Sequence, residues 1–244
     1  MTSPLSSLKV IEFAGLGPTP FTAMMLADLG ADVLRVDRPA GQRDPISNHR
    51  FNYLNRSRPS IVLDLKSGEG LDLARELTSR ADILIEGFRP GVMERLGLGP
   101  DVVMEVNPQL IYARMTGWGQ EGPMAKKAGH DINYFALSGG LHLLGSPDQP
   151  PPPPVNVVGD YGGGGMFNVM GILAAVIERA NSGLGQVVDT AMLDGSSVLL
   201  TQIFAWKQMG LWHPERGANI LDGGAYFYRC YETRDNKYVA VGAL

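Results

Sequence analysis

The sequence has 244 residues, of which 44% are hydrophobic and 19% charged, and its formal net charge is −4 at pH 7. This length suffices for one large domain, or for one domain and part of a second. The negative charge argues against a nucleic-acid partner, which normally requires a basic face. No uninterrupted apolar run reaches the ~18–20 residues of a membrane span, so no membrane association is expected. The single cysteine, Cys230, excludes a disulfide framework and a cysteine-based zinc site, and it favours an intracellular protein.

Short apolar runs alternate with helix-like segments in the first half of the sequence. Strands are predicted at residues 8–13, 32–36, 60–65, 82–86 and 110–115. Helices are predicted between them, at residues 21–29, 67–79, 90–96 and 101–106. Repeated strand–turn–helix units are typical of a parallel sheet in an α/β fold, which is the fold class we predict.

The second half is predicted to be mainly helical and to end in a β-hairpin. Helices are expected at residues 130–141, 163–180 and 195–209, with a strand at residues 185–190. The strand-like runs 225–232 and 237–244 are joined by a turn at residues 233–236. A domain ending inside the second run would leave an unfinished sheet edge, so further sequence is expected to follow.

The turn after the first strand has some features of a dinucleotide-binding site. It holds Gly15 and Gly17, and Asp37 lies about 20 residues further on, where a ribose-binding acid belongs. However, the third glycine is absent, and Pro18 and Pro20 remove two N–H donors from the position of a pyrophosphate. We therefore interpret this segment as a structural turn.

Three arginines are candidates for binding phosphate groups. Arg38 and Arg89 follow the ends of predicted parallel strands, and Arg95 lies shortly after Arg89. Ligands of open α/β sheets bind at that edge, and the arginine fork suits phosphate oxygens. Each arginine alone could be a solvated loop residue, but together they would fit a polyphosphate ligand such as coenzyme A.

His130 and Asp160 are the candidate acid/base residues. His130 begins a predicted helix, where the helix dipole disfavours the protonated imidazole and helps to keep a neutral base available. Asp160 could cap the helix at residues 163–180, or it could face a ligand. The four glycines at residues 162–165 would leave backbone N–H groups free to face an oxyanion. His49, His142 and His213 have no supporting context, and we assign them structural roles.

Several segments resemble the family III CoA-transferases and, within them, the α-methylacyl-CoA racemases. The most specific are AGHDINYFALSGG at residues 128–140 and VGDYGGGGMF at residues 158–167. IEGFRPGVMERLGLGP at residues 85–100 and GQVVDTAMLDGSS at residues 185–197 extend the resemblance to most of the chain. It implies a large domain with a Rossmann-like parallel sheet, a smaller second domain and an interlocked homodimer. Residues 1–222 would then form the CoA-binding domain, and residues 223–244 would begin the second.

The resemblance also implies a substrate and a set of site residues. The substrate would be an acyl-CoA thioester, so that CoA is part of the substrate and no metal or other cofactor is required. His130 and Asp160 would be the two acid/base residues that invert the carbon next to the thioester carbonyl. The implied CoA contacts are Arg38, Leu63, Asp64, Leu65, Lys66, Gly87, Phe88, Arg89 and Arg95. The implied acyl contacts are His130, Asp131, Ile132, Asn133, Tyr134 and Phe135.

Two other functions remain open. In a CoA transfer between carboxylic acids, Asp160 would be the nucleophile and form a mixed anhydride. The transferases of this family carry a tyrosine in place of His130, which favours racemisation. An inactive CoA-binding or dimerisation fragment is the third possibility, because the racemases carry a glutamate partner for the histidine beyond the YVAVGA motif, where this sequence ends. We accordingly expect weak activity at best.

The acyl preference and the source also stay open. Bile-acid intermediates, branched fatty acids and aryl-propionyl groups are all compatible with the sequence. The expected location is intracellular: cytoplasmic in a bacterium, and peroxisomal or mitochondrial in a eukaryote.

Overall fold

Six parallel strands form the centre of the computed structural model, which describes residues 3–39 and 50–243. The strands are β1 (Lys9–Phe13), β2 (Asp32–Asp37), β3 (Ser60–Val62), β4 (Ile83–Glu86), β5 (Ile111–Thr116) and β6 (Val187–Ala191). Their order across the sheet is β3-β2-β1-β4-β5-β6, and every neighbouring pair is parallel. This is the doubly wound order of Rossmann folds, which reverses between β1 and β4. The predicted α/β class with a Rossmann-like parallel sheet is confirmed.

Helices cover both faces of the sheet. In the first half they are α1 (Pro18–Asp28), α2 (Gly68–Ser79), α3 (Val92–Arg95), α4 (Pro100–Val106) and α5 (Asp131–Leu137). A π-helix (Val157–Met166) then leads directly into α6 (Phe167–Ser182), and α7 (Met192–Leu199) and α8 (Thr201–Gln208) follow β6. A separate antiparallel hairpin consists of β7 (Tyr228–Glu232) and β8 (Tyr238–Gly242). Within the described residues, no helix is long and apolar enough to cross a membrane.

Alternating strand residues contribute to two apolar clusters, one on each side of the sheet. In β4, Ile83 and Ile85 join the cluster that contains residues of α1 and α6, whereas Leu84 joins the cluster that contains residues of α2 and α4. All three side chains are fully buried. A strand that is buried on both faces reads as a continuous apolar run, which explains why the sequence predicts the central strands well.

Several predicted elements differ from the structure. β3 ends at Val62 and not at residue 65, because the chain turns at Asp64, whose carbonyl accepts the Ser67 hydroxyl hydrogen at 2.8 Å. The helix predicted at residues 195–209 is two helices, α7 and α8, which are separated at Leu200. The helix predicted from residue 163 is a π-helix until Met166 and an α-helix only afterwards. The hairpin is confirmed, and its turn places Asn236 at φ 56°. A domain boundary at residue 222 stays a prediction.

Close contact between α7 and the π-helix leads to a stability prediction. A Cβ atom at Gly195 would lie 1.9 Å from the Gly163 carbonyl oxygen, so the two backbones would have to separate. We expect Gly195→Ala to lower the free energy of unfolding by roughly 1–3 kcal/mol, as measured by urea denaturation. Gly68→Ala is the control, because nothing lies within 4 Å of a Cβ at this position near the start of α2. Equal stabilities of the two variants would contradict the prediction.

Candidate active site

A pocket of about 370 Å³ opens at the carboxyl edge of the sheet. It is lined by residues that follow β1, β4 and β5, together with His130, Tyr134, Asp160 and Met192. The sheet order reverses between β1 and β4, so the pocket lies at the switch point where open α/β sheets bind their ligands. The structure therefore brings both predicted acid/base residues to one concave site.

His130 is the residue immediately before α5, as the sequence predicts. Its backbone is extended, and its amide donates a hydrogen bond of 3.0 Å to the Asn133 side-chain oxygen. The amides of Asn133 and Tyr134 donate to the His130 carbonyl at 2.8 and 3.2 Å. These bonds fix the backbone of His130 and leave its exposed imidazole at the pocket. The helix itself ends at Leu137 and is shorter than the predicted segment.

Asp160 lies inside the π-helix and does not cap a helix. The possible capping role is therefore excluded, because three residues of the helical segment precede Asp160. The side chain is half-buried and hydrogen-bonds to the Asn156 side chain. A Cβ atom at Gly17 would lie only 3.0 Å from Asp160 Oδ2, so the glycine after β1 makes room for this carboxyl group.

The surroundings of Asp160 change its acidity. Burial raises the pKa of its carboxyl group to about 6, and the nearby Asp131 carboxyl adds to this increase. The influence of His130 acts in the opposite direction, which reflects the proximity of the two groups. A carboxyl group with a pKa close to neutral pH can both release and accept a proton under ordinary conditions.

The glycines after Asp160 lie within the π-helix, and three of the four pack against other parts of the protein, while free N–H groups that face an oxyanion stay a prediction. Gly163, Gly164 and Gly165 are buried within the π-helix. Added Cβ atoms would lie 2.6 Å from Ser196 N, 2.8 Å from Met192 Cγ and 2.5 Å from Phe21 Cδ1, respectively. The glycines therefore allow α7 and α1 to pack closely against the helix that carries Asp160.

Tyr134 and Trp118 form an aromatic wall of the pocket. Their ring centroids are 4.7 Å apart with an interplanar angle of 80°, an edge-to-face geometry. Gly117 and Gly129 make room for this pair, since Cβ atoms there would lie 2.2 and 2.6 Å from Tyr134 Cε1. Burial, reinforced by Asp160, raises the pKa of the Tyr134 phenol to about 12, so this group stays neutral and able to donate a hydrogen bond.

Two of the six residues expected to contact the acyl group line the pocket, namely His130 and Tyr134. Asp131 and Phe135 are buried, and Asp131 Oδ2 accepts the Asp160 amide hydrogen at 2.7 Å. Ile132 and Asn133 are exposed outside the pocket lining, and the Asn133 side chain is engaged with the His130 backbone. An acyl contact at these four positions stays a prediction.

The expected CoA contacts are distributed along the same edge of the sheet. Gly87, Phe88 and Arg89 line the pocket, and the Arg38 guanidinium lies 5.4 Å from the centroid of the Phe88 ring. The Arg95 guanidinium lies near Gly91, in α3, outside the pocket lining.

The segment of Leu63, Asp64, Leu65 and Lys66 begins beside the end of β2. The Leu63 amide donates to the Asp37 carbonyl at 3.0 Å, while the Leu63 side chain is buried in the core. Neighbouring strands are ~4.8 Å apart, so the distance from β3 to β5 across this edge is about 19 Å. The edge therefore suits an elongated ligand that reaches the pocket from the side of β3.

Sequence reasoning missed three features of the site. Lys127 and Trp118 line the pocket. The only signals for them in the sequence were that Lys127 lies shortly before His130 and that Trp118 follows the end of β5. Glu86 accepts the Phe88 amide hydrogen at 2.7 Å and pairs with Arg114 at 3.0 Å, which fixes the loop after β4. The signal for this pair was a charged residue near the end of each of two apolar strands.

The other two histidines of the described residues, His142 and His213, do not line the pocket. His142 Nε2 contacts the Pro214 carbonyl oxygen at 3.1 Å, and His213 Nδ1 accepts the Glu215 amide hydrogen at 3.1 Å. His49 lies outside the described residues. In residues 3–39 and 50–243, no group of three or more His, Cys, Asp or Glu side chains could hold a metal ion.

The family of the chain follows from its match to a known sequence profile. The sequence profile of CoA-transferase family III matches residues 5–244, nearly the whole sequence. The chain belongs to CoA-transferase family III. This family III chain is 48% identical over 240 residues to the alpha-methylacyl-CoA racemase of Mus musculus and 46% identical to that of Homo sapiens. Both alignments cover 98% of the chain and 61% of the relative.

A solved structure supports the same membership for the family III chain. It is similar to a CAIB/BAIF family protein from Brucella suis, with a TM-score of 0.86 and 32% sequence identity. That alignment covers 99% of this chain and 66% of the Brucella suis chain. The family III chain thus spans about three fifths of the length of the curated relatives that it matches.

Proposed function

We propose that this family III protein is a racemase that interconverts (R)- and (S)-2-methylacyl-CoA thioesters by 1,1-proton transfer. The observation that carries this proposal is the presence of His130 and Asp160, from two different elements, in one pocket at the carboxyl edge of the sheet. The names of the mouse and human relatives support the same reaction.

Inversion of the carbon next to the thioester requires one group on each face of that carbon. For one epimer, His130 removes the proton from C2, and the C–H electron pair forms the double bond of an enolate while the thioester oxygen becomes negative. Asp160 then returns a proton to the opposite face. For the other epimer the roles are exchanged. A carboxyl group with a pKa of about 6 suits both roles, since it is readily converted between acid and base.

The enolate oxygen requires hydrogen-bond donors aimed at it. The amides of the first turn of a helix lack intrahelical acceptors. In α5 the amides of Asn133 and Tyr134 are already bonded to the His130 carbonyl, so the first-turn amides next to the proposed base are those of Asp131 and Ile132. We propose that they stabilise the enolate oxygen, a contribution that depends on excluding water from the site.

The arginines along the sheet edge are proposed to bind the phosphates of CoA. Arg38, Arg89 and Arg95 are exposed, and none of them forms an ion pair with another residue of the described ranges. The proposal needs no metal or further cofactor. It includes the homodimer implied by the family resemblance and an intracellular location, which suits the free, exposed Cys230.

Removal of the arginine charges is expected to weaken substrate binding. We expect Arg38→Gln and Arg89→Gln each to raise the Kd for a 2-methylacyl-CoA about tenfold, because a hydrogen bond to a charged group contributes ~1.5–3 kcal/mol. Isothermal titration calorimetry measures this effect. Arg80→Gln is the control. Arg80 is an exposed residue that directly follows α2 and forms an ion pair with Glu76. Unchanged affinity in both arginine variants would argue against the proposed CoA path.

CoA transfer between carboxylic acids is the second candidate, favoured by the family description and by the position of Asp160 in the pocket. Here the carboxylate attacks the thioester carbonyl, CoA leaves as the thiolate, and a mixed anhydride forms. Burial raises the pKa of Asp160 to about 6, so its acid form, which proton return requires and nucleophilic attack does not, persists closer to neutral pH than that of an exposed aspartate. This difference favours proton transfer.

Incubation with (R)- or (S)-2-methylacyl-CoA in deuterium oxide distinguishes the candidates. A racemase is expected to incorporate deuterium at C2 and to produce the other epimer without loss of CoA. Movement of CoA to an added free acid without label at C2 would identify a transferase. Binding of the thioester with neither reaction would identify a CoA-binding fragment.

A further inference from the structure

Asp131 connects the two residues of the proposed catalytic pair. It directly follows His130 at the start of α5, and its Oδ2 atom accepts the amide hydrogen of Asp160 at 2.7 Å. The two residues are 29 positions apart in the sequence, so this bond ties α5 to the π-helix. The Asp131 side chain is therefore directed at the backbone of Asp160 and does not line the pocket.

The contact between the Asp131 carboxyl group and the Asp160 amide is buried. Asp131 is only 4% exposed, and within the described part of the chain its Oδ1 atom is buried without a hydrogen-bond partner. Gly159 packs directly on this group, because a Cβ atom there would lie 2.9 Å from both the carbonyl oxygen and Oδ2 of Asp131. A buried carboxyl oxygen without a donor is costly.

We propose that Asp131 is a positioning residue that holds the Asp160 backbone at a fixed place relative to His130. The inference rests on the proposed racemase function and extends it. A single side chain next to one base thereby determines where the other base lies. Small displacements of a reacting group are expensive, since an error of ~1 Å can cost 10²-fold in rate.

The same side chain acts on Asp160 electrostatically. His130 and, in α5, Asp131 and Tyr134 interact with Asp160, as does the Asn156 side chain, and Arg89 of the loop after β4 acts on Tyr134. Asp194 of α7 interacts with Asp189 of β6. Asp189 also interacts with Arg114 and Gln120. Burial is the main cause of the raised pKa of Asp160, and the Asp131 carboxyl group adds to it, so both disfavour ionisation and keep a proton available for return to the enolate.

Two substitutions of Asp131 separate the two effects. Asp131→Asn can still accept the Asp160 amide hydrogen but removes the charge, whereas Asp131→Ala removes both. The pKa of Asp160 is measured by carbon-13 NMR titration of its carboxyl signal, which is assigned from its absence in Asp160→Asn. We expect Asp131→Asn to lower this pKa by roughly 1 unit. Asp148→Asn, which removes an exposed carboxyl group elsewhere, is expected to leave it unchanged.

The positioning role is tested by comparing inversion with exchange. In Asp131→Ala, racemisation is expected to fall roughly 100-fold, while deuterium exchange of the epimer deprotonated by His130 changes little. Gly159→Ala forces the same contact apart without a change of charge, and it is expected to reduce inversion similarly. An unchanged Asp160 pKa in Asp131→Asn, or normal racemisation in Asp131→Ala, would overturn the proposal.

If the proposed racemase function were wrong, the experiment would give a different result from a failure of the Asp131 proposal. It would appear as an absence of exchange in the unmodified protein with either epimer. The NMR titration needs no substrate, and neither does hydrogen exchange of the Asp160 amide, which should become faster in Asp131→Ala. Both measurements therefore test the role of Asp131 independently of the reaction.

Discussion

Replacement of His130 by alanine is expected to reduce deuterium incorporation at C2 of a 2-methylacyl-CoA by about 10²–10⁴-fold, the usual contribution of a general base. The imidazole lies at the pocket, and no other histidine of the described chain lines it. The backbone of His130 is held by the Asn133 side chain and by the first turn of α5 through its own amide and carbonyl groups, which alanine keeps. The pocket should therefore keep its shape and bind the thioester with similar affinity.

His142→Ala is the matched control, because this exposed histidine contacts the Pro214 carbonyl oxygen and lies outside the pocket. Its exchange rate should equal that of the unmodified protein. If His130→Ala exchanged at the same rate as His142→Ala, His130 would not be the base. If His130→Ala lost thioester binding as well, the comparison would have to be made at saturating substrate.

The positions of the strands along the chain could be predicted from the sequence, because each strand is marked by a local apolar run. Strands β1, β4 and β5 are buried on both faces and read as apolar runs, and glycines and charged residues mark their ends. The strand order could not be read from these runs, because it depends on contacts between segments far apart in the chain. The separation of α7 and α8 at Leu200 was also missed, since the apolar pattern continues across it.

The two proposed acid/base residues, His130 and Asp160, were selected by motif, but their environments could not be predicted from it. Asp160 was expected at a helix start with free amides after it, whereas it lies within a π-helix whose glycines face other parts of the protein. A glycine run is compatible with close approach of a ligand and with close approach of another helix. The choice depends on Ser196, Met192 and Phe21, which are distant in sequence.

The role of the Asp131 side chain could not be predicted from the sequence either. Its position beside His130 suggests contact with substrate, yet its carboxyl group faces the amide of Asp160. A residue next to a catalytic group in sequence can thus belong to the supporting structure, because successive residues at a helix start point in different directions. The hydrogen bond from the Asp160 amide and the packing of Gly159 against Asp131 reveal this arrangement.

The acidity of Asp160 distinguishes proton transfer from nucleophilic attack. Racemisation requires the pair formed by His130 and Asp160 to hold one proton, so that one member can accept while the other donates. Below the pH range of the pair no base remains, and above it no acid remains, so a bell-shaped pH–rate profile is expected. Because burial raises the pKa of Asp160 to about 6, its acid form persists closer to neutral pH than that of an exposed aspartate. An anhydride-forming carboxylate would instead be favoured by full ionisation.

Replacement of Asp160 by asparagine should separate exchange from inversion. Asparagine keeps the size of the side chain but neither accepts the C2 proton nor returns one, so racemisation is expected to fall by about 10²–10⁴-fold in both directions. The epimer deprotonated by His130 should still exchange its C2 proton for deuterium with retention, while the other epimer should not exchange. Chiral chromatography with mass spectrometry measures both quantities.

The pH dependence of this residual exchange provides the second test of Asp160→Asn. Since exchange with retention needs no proton from Asp160, its rate should lack the decline at high pH that is expected for racemisation. Asp148→Asn is the control for the loss of a carboxyl group, and it should retain the bell-shaped profile. Inversion of both epimers by Asp160→Asn at the normal rate would rule out a two-base reaction at this pair. Loss of exchange for both epimers would mean that Asp160 is needed before proton transfer, as the transferase reaction requires.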